Sequence, residues 1–314
     1  MMFRDNQFYK EISREFSSQV YSPASRGTPF KMPKVEEWTF LPPMGTKRFG
    51  CAAVSMGGNL YVVGGIDDKN NRLSSAEVFN TTTGQWTLLP PMISKRYGCA
   101  AVCAANNLYV IGGKDDKNNK LSSVEVFNVL TRQWSLLPHM STERSGCAAV
   151  TVGGNIFVIG GSGGSKVLSS VEVFDTITRK WSFLSSMGIE RFGHAAVSIG
   201  GNIYVIGGSD DKKNKLSSVE FFNSTTRKWT FLPLTLKERF GCAAVSMGGN
   251  IYVIGGENNE KNNKLSSVEM FNTTTRQWTF LPSMGTERFG CAAVSLGGNI
   301  YVVGGENNEK NNKL

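Results

Sequence analysis

A stretch of about 48 residues recurs six times along the chain, and this repeat constrains the possible folds more than any other feature. Residues 239–278 show one copy, RFGCAAVSMGGNIYVIGGENNEKNNKLSSVEMFNTTTRQW, and its second glycine pair recurs at steps of 47 to 49 residues. A tryptophan keeps the same spacing, at Trp38, Trp86, Trp134, Trp181, Trp229 and Trp278. A fixed period of this length indicates a repeat architecture, in which each unit buries its apolar face only by packing on its neighbours.

Within one repeat the residues predict four β-strands and no helix. Cys242–Met247 and Ile251–Ile254 are apolar stretches separated by a Gly-Gly-Asn hairpin signal. Leu265–Phe271 follows a polar loop and is the predicted third strand, and Trp278–Leu281 is the fourth. The predicted fold is therefore all-β.

The repeat resembles the kelch motif. In five copies a tyrosine shortly precedes the glycine pair, with Phe157 in the third copy, a tryptophan follows about 21 residues later, and an arginine opens the innermost strand. Kelch repeats each form one four-stranded blade of a β-propeller. The resemblance covers roughly residues 36–314 and implies a six-bladed propeller.

The predicted organisation is a short N-terminal extension, residues 1–30, followed by one propeller domain, residues 31–314. The extension has the pattern of a short helix that begins at Asp5. The apolar side of this helix would consist of Phe8, Ile12, Phe16 and Val20. Because the sequence has no long apolar run and no secretory signal, we expect a cytoplasmic protein with no membrane contact. We also expect a monomer.

The two ends of the repeat array complement each other. The array begins with a fourth strand at Trp38–Leu41 and ends with a second strand at Ile300–Gly305 and its loop. Strands from both termini are therefore expected to close the last blade, which removes the sheet edges between blades. The third strand of that blade has no obvious source. Residues 25–32 could supply it, the blade could have three strands, or the chain could be a fragment.

Charge is predicted to separate the two faces of the propeller. The loops joining strands two and three, and those leading to the next blade, share one face, here called the loop face. The hairpins and turns at the other strand ends form the turn face. Assigning each charged residue by its position in the repeat puts +8 of the formal +9 on the loop face. Such a face attracts acidic partners.

Two interpretations of the repeated arginine remain open. In one, the guanidinium groups bind carboxylates of an acidic peptide, since their planar fork suits bidentate pairing. Resemblance to kelch substrate adaptors implies that these arginines and the residues just after each glycine pair line the peptide pocket. The predicted partner-binding residues are Arg48, Arg96, Arg144, Arg191, Arg239, Arg288, Lys114, Ser162, Ser209, Glu257 and Glu306. In the other interpretation, each arginine pairs within the fold with a third-strand glutamate, namely Glu77, Glu125, Glu172, Glu220 or Glu269.

Differences between the copies indicate a binding pocket beside the third repeat, the predicted blade three. Its long loop, Ser162–Val167, is the shortest and lacks the acidic pair of the other copies. Ser145 replaces the phenylalanine or tyrosine that follows the repeated arginine elsewhere. We expect the loop face to be more open here, with a pocket beside blade three.

One repeat position holds cysteine in five copies and His194 in the sixth; the cysteines are Cys51, Cys99, Cys147, Cys242 and Cys291. A metal ring is disfavoured, because equivalent positions on separate blades are unsuited to converge on one ion. We expect small buried thiols, with no disulfide, metal or cofactor.

These features predict a protein–protein interaction module and not an enzyme. The partner would be a protein or acidic peptide bound on the loop face, as in a ubiquitin-ligase substrate adaptor or an actin-binding protein. One alternative is a sugar-modifying, epimerase-like enzyme with a site at the channel mouth. The other is non-specific nucleic-acid binding, which the acidic residues in the loops and the scarcity of stacking aromatics disfavour.

Overall fold

The structure, a computed structural model, describes residues 18–21, 37–260, 263–309 and 312–314, and these contain β-strands and no helix. Two strands precede the complete repeats, β1 (Ser18–Tyr21) and β2 (Trp38–Phe40). Blade one comprises β3 (Ala52–Met56), β4 (Asn59–Val63), β5 (Ala76–Asn80) and β6 (Gln85–Leu89). Blade two comprises β7 (Ala100–Ala104), β8 (Asn107–Ile111), β9 (Val124–Asn128) and β10 (Gln133–Leu137).

The remaining strands follow the same order. Blade three comprises β11 (Ala148–Val152), β12 (Asn155–Ile159), β15 (Val171–Asp175) and β16 (Lys180–Leu184), with a two-stranded ribbon, β13 (Ser162–Gly163) and β14 (Lys166–Val167), in its loop. Blade four comprises β17 (Ala195–Ile199), β18 (Asn202–Ile206), β19 (Val219–Asn223) and β20 (Lys228–Leu232). Blade five comprises β21 (Ala243–Met247), β22 (Asn250–Ile254), β23 (Val268–Asn272) and β24 (Gln277–Leu281), and the last strands are β25 (Ala292–Leu296) and β26 (Asn299–Val303).

The strands form an all-β propeller arrangement, as predicted. Five antiparallel four-stranded sheets each consist of the consecutive strands of one repeat. A further four-stranded sheet is a composite, with the order β2, β1, β26 and β25. Six apolar clusters fill the interfaces between neighbouring sheets; for example, Tyr61 and Val63 of blade one pack with Leu108 and Val110 of blade two. The core therefore lies between the blades, as a repeat architecture requires.

A ring of main-chain hydrogen bonds closes the propeller around its channel. Each bond joins the glycine that follows the repeated arginine by two residues to its equivalent in the preceding sheet. The donors and acceptors are Gly98 to Gly50, Gly146 to Gly98, Gly193 to Gly146, Gly241 to Gly193, Gly290 to Gly241 and Gly50 to Gly290, at 2.7–2.9 Å. The last of these bonds joins the composite sheet to blade one. The tryptophans add outer links; the indole of Trp38 donates to the carbonyl oxygen of Pro282 at 2.9 Å.

The composite sheet answers the question of the missing third strand. Residues 18–21 supply it, because β1 lies antiparallel to both β26 and β2. Val20, assigned above to a helix, belongs to this strand. The rest of that predicted helix, and residues 25–32, lie outside the described residues. The register pairs Gln19 with Val302, and it pairs Glu77 with Val62, so Gln19 occupies the third-strand glutamate position.

The third strand begins later than the sequence predicts, at Val268 and not at Leu265. The three preceding residues are engaged elsewhere: the Leu265 amide bonds to Gly256, and the carbonyls of Ser266 and Ser267 accept from Met284 and Gly255. The repeated glycine pair allows this crowding. A Cβ on Gly64, whose φ is +64°, would overlap the carbonyl oxygen of Arg96.

Replacing Gln19 by glutamate should stabilise the propeller by about 1.5–3 kcal/mol, the free energy that a hydrogen bond to a charged group contributes. In blade one the Glu77 carboxylate accepts from the amides of Gly45 and Thr46. The Gln19 amide lies at the equivalent place, 3.6 Å from a Cβ built on Gly285, and makes no hydrogen bond to the described residues.

Denaturant unfolding of the Gln19→Glu variant measures this gain. The reverse exchange, Glu125→Gln in blade two, is the matched control and should be destabilising. A loss of stability in both variants would contradict the equivalence of the two positions.

Candidate binding faces

The six repeated arginines are fully buried, with no exposed surface. Arg239 shows the contacts that hold them. Its Nε and Nη2 donate to Oε1 of Glu269 at 3.0 and 2.8 Å, and its Nη1 donates to the carbonyls of Gly255 and Ser267. Nη2 also reaches the Ser267 hydroxyl at 2.9 Å. All five guanidinium protons therefore have acceptors inside the fold.

The same pairing recurs in the other complete blades. The pairs are Arg48–Glu77, Arg96–Glu125, Arg144–Glu172, Arg191–Glu220 and Arg239–Glu269, with nitrogen–oxygen distances of 2.8–3.1 Å. In the composite sheet, Nη1 of Arg288 donates to the carbonyl of Gly304 at 2.7 Å, and burial lowers the pKa of Arg288 to about 10. Each glutamate also accepts two main-chain amides of the linker that carries its arginine, as Glu125 does from Ile93 and Ser94.

Each arginine connects two blades. The amide of Arg96 donates to the carbonyl of Leu73, and its carbonyl accepts from Gly65, both in blade one. Its side chain instead reaches Gly112 and Glu125 of blade two. The prediction that these arginines contact a partner is therefore wrong, because their guanidinium groups are inaccessible. Their contacts agree with the other interpretation, in which each arginine is bound within the fold.

This pairing also corrects the predicted charge distribution. The five paired glutamates lie on third strands, which the repeat position had assigned away from the loop face. Because their carboxylates sit on the arginines, the loop-face charge falls from +8 to +3. The turns joining strands three and four of blades one to five then keep six basic residues and one acidic residue. In blades one to five the turn face is therefore the more basic of the two.

An aromatic collar surrounds the channel mouth on the loop face. It consists of the half-buried residues Phe49, Tyr97, Phe192, Phe240 and Phe289, each directly after a buried arginine. Ring centroids of consecutive phenylalanines, from Phe192 through Phe240 and Phe289 to Phe49, lie 4.9, 5.3 and 5.4 Å apart. Ser145, 6 % exposed, leaves a gap in the collar at blade three. The gap follows from the sequence difference noted above.

The residues after the glycine pairs lie beside this collar, because each bridges to a collar position. Lys114 places its ammonium 5.9 Å from the Tyr97 ring centroid, and the Arg72 guanidinium lies 5.5 Å from it. The predicted residues Glu257 and Glu306 are bound by Lys215 and Lys264, at 2.6 and 2.7 Å. Of the other two, the Ser162 hydroxyl accepts from Lys120, and Ser209 is buried.

Comparison with known families agrees with this architecture. The profile of the KLHDC2/KLHL20/DRC7 kelch-repeat domain matches residues 50–238, and the kelch motif matches residues 238–285 and 287–314. The chain belongs to the kelch-repeat family. Among solved structures, that of YjhT is similar to this kelch propeller with a TM-score of 0.78 and 16 % sequence identity, covering 87 % of this chain and 94 % of YjhT. At this identity the likeness concerns the fold alone.

The kelch propeller has a cavity beside blade three, where the sequence differences suggested one. Its volume is about 300 Å³, and its lining includes Val167 and Leu168 of blade three, with Glu190 and Asp211 next to them. The amide of Val167 donates to Asp211 of blade four at 3.0 Å. The cavity therefore opens between the loops of blades three and four.

The cysteine position of the kelch repeat is structural. Cys51, Cys99, Cys147, Cys242 and Cys291 are buried and free, and burial raises the pKa of each thiol to about 11 or 12. His194, at the same position in blade four, is 5 % exposed. Among the described residues, no cluster of histidine, cysteine and carboxylates could hold a metal ion, and no helix could cross a membrane.

Proposed function

We propose that this kelch propeller is a protein-interaction module that binds an acidic, apolar peptide across the channel mouth. The observation that carries the proposal is the aromatic collar, five half-buried aromatic residues at equivalent positions around the ring of glycine hydrogen bonds. Partly exposed aromatic side chains supply large apolar contact area at low conformational cost, which suits peptide recognition. The gap at Ser145 breaks the collar at blade three, so a bound peptide would meet four phenylalanines and Tyr97 but no ring there.

Charge beside the collar supports an acidic peptide. Lys114 and Arg72 lie over Tyr97, next to the gap. On the opposite side, the carboxylates of Glu257 and Glu306 are already neutralised by lysines. A peptide carboxylate would therefore be attracted to the side of blade two, with its apolar residues on the phenylalanines.

The proposal also includes the number of blades and the kind of partner. We propose that the composite sheet serves as a sixth blade, supported by the glycine hydrogen-bond ring that passes through it. A substrate-adaptor role in a ubiquitin ligase, or actin binding, would both use such a face. These roles, a cytoplasmic location and the absence of enzymatic activity stay predictions.

Replacing Phe240 by serine should weaken peptide binding about tenfold, because an aromatic contact has that order of value. The fold tolerates serine at this position, as Ser145 shows. Peptides selected from a random display library on the wild-type protein, with dissociation constants measured by fluorescence anisotropy, provide the test.

Lys69→Ala, at an exposed loop tip away from the collar, serves as the control and should leave affinity unchanged. Selected peptides that lack both acidic and apolar residues, or that bind Phe240→Ser as tightly as wild type, would argue against a site at the collar.

A further inference from the structure

The turn face carries a basic surface that the loop-face proposal does not use. Its charges lie on the turns between strands three and four of blades two to five. The basic residues are Arg132, Arg179, Lys180, Arg227, Lys228 and Arg276, all exposed. In these turns Asp175 is the one acidic residue, and its carboxylate accepts the amides of Ile177 and Thr178.

Two aliphatic side chains project from the same surface. Leu130 is 89 % exposed and Ile177 is 91 % exposed, the highest values among the large apolar residues described. They occupy equivalent turn positions in blades two and three, which are neighbours in the ring. Other blades have threonine there, as at Thr225 and Thr274.

The basic residues follow these side chains directly in sequence. Arg132 lies two residues after Leu130, and Arg179 and Lys180 lie two and three residues after Ile177. Both arginines have positive φ, 55° and 58°, at a position that blade one fills with Gly84. Each turn thus carries an exposed aliphatic tip with cations at its base.

We propose that the turn face docks on an anionic lipid membrane, with Leu130 and Ile177 inserted among the headgroups and the basic residues on lipid phosphates. Isolated aliphatic tips surrounded by cations match the two layers of a membrane interface, which is apolar below and negatively charged above. Nucleic acid fits less well, because the tips offer no aromatic ring for base stacking.

This contact is peripheral and needs no membrane-spanning segment. The proposal differs from the expectation of no membrane contact, which rested on the lack of an apolar run. Because the collar lies on the other face, a docked propeller would present its peptide site to the solvent.

Co-sedimentation with vesicles tests the proposal. The wild-type protein should sediment with phosphatidylcholine vesicles that contain one third phosphatidylserine, and it should not sediment with phosphatidylcholine alone. Added salt should release it, because exposed charges are screened.

Two variants separate the contributions of the tips and the charges. Leu130→Thr with Ile177→Thr should weaken vesicle binding about tenfold, since less apolar surface enters the membrane. Arg132→Gly, Arg179→Gly and Lys180→Gln together should weaken it about a hundredfold. Each substitution introduces a residue that another blade already has at that position, which protects the fold.

The matched control removes three charges from the loop face with Lys69→Gln, Lys117→Gln and Lys212→Gln, and it should bind as wild type does. An equal loss in this control would overturn the proposal, as would no binding of wild type to the anionic vesicles. Binding to poly(U) RNA without binding to vesicles would assign the surface to nucleic acid and would also overturn it.

Discussion

Replacing Arg239 by alanine should lower the free energy of unfolding by about 3–5 kcal/mol, the usual cost of removing one partner from a buried ion pair. The variant would leave the Glu269 carboxylate buried without its guanidinium, and the carbonyls of Gly255 and Ser267 without their donor. Such groups cost more when unsatisfied than their hydrogen bonds contribute when made. Guanidinium chloride unfolding followed by tryptophan fluorescence measures the loss.

The control for this experiment is Lys95→Ala. Lys95 pairs with Asp116 at 3.7 Å, but both side chains are about half exposed, and exposed pairs contribute at most about 1 kcal/mol. If Arg239→Ala kept wild-type stability and lost peptide binding, the arginines would have to act at an accessible site after all.

Acid should destabilise the propeller through His194, by roughly 1 kcal/mol per pH unit below about pH 6. Burial, followed by the positive charge of Arg191, lowers the pKa of His194 to about 3. Its unfolded-state pKa is near 6.5, so the unfolded state binds the proton first. The stabilising contribution is complete above about pH 6.5 and is lost as the pH falls toward 3.

His194→Cys isolates this contribution, because cysteine is the residue at the equivalent position of the other repeats. Its unfolding midpoint, measured between pH 7 and pH 4, should fall less steeply than that of wild type. Parallel curves for wild type and His194→Cys would contradict the prediction, because they would show that protonation of His194 in the folded state does not lower the free energy of unfolding.

The strands could be predicted well from the sequence because the residue pattern of each strand recurs in several repeats. A departure from the repeat was harder to recognise. In β1, Gln19-Val20-Tyr21 keeps the polar, β-branched, aromatic order of Glu77-Val78-Phe79, but no nearby glycine pair marks it. That order alone does not identify a third strand, because Asn202-Ile203-Tyr204 in a second strand has it too.

The assignment of charge to faces failed for a different reason. Position along a strand shows where a residue's backbone lies, and a long side chain can carry its charge elsewhere. Glu125 belongs to a third strand, yet its carboxylate meets Arg96 and the linker amides at the loop end of the blade. The collar gap was predictable, because Ser145 is visibly different from its counterparts.

Because each repeated arginine has its main chain in one blade and its side chain in the next, neither blade contains all of its own stabilising contacts. Unfolding one blade would leave a buried charged side chain of its neighbour without its partner. In a closed ring every blade has two neighbours, so no free end limits the unfolding. Loss of structure should therefore spread around the whole molecule as a single cooperative event, unlike the stepwise unravelling open to a linear solenoid.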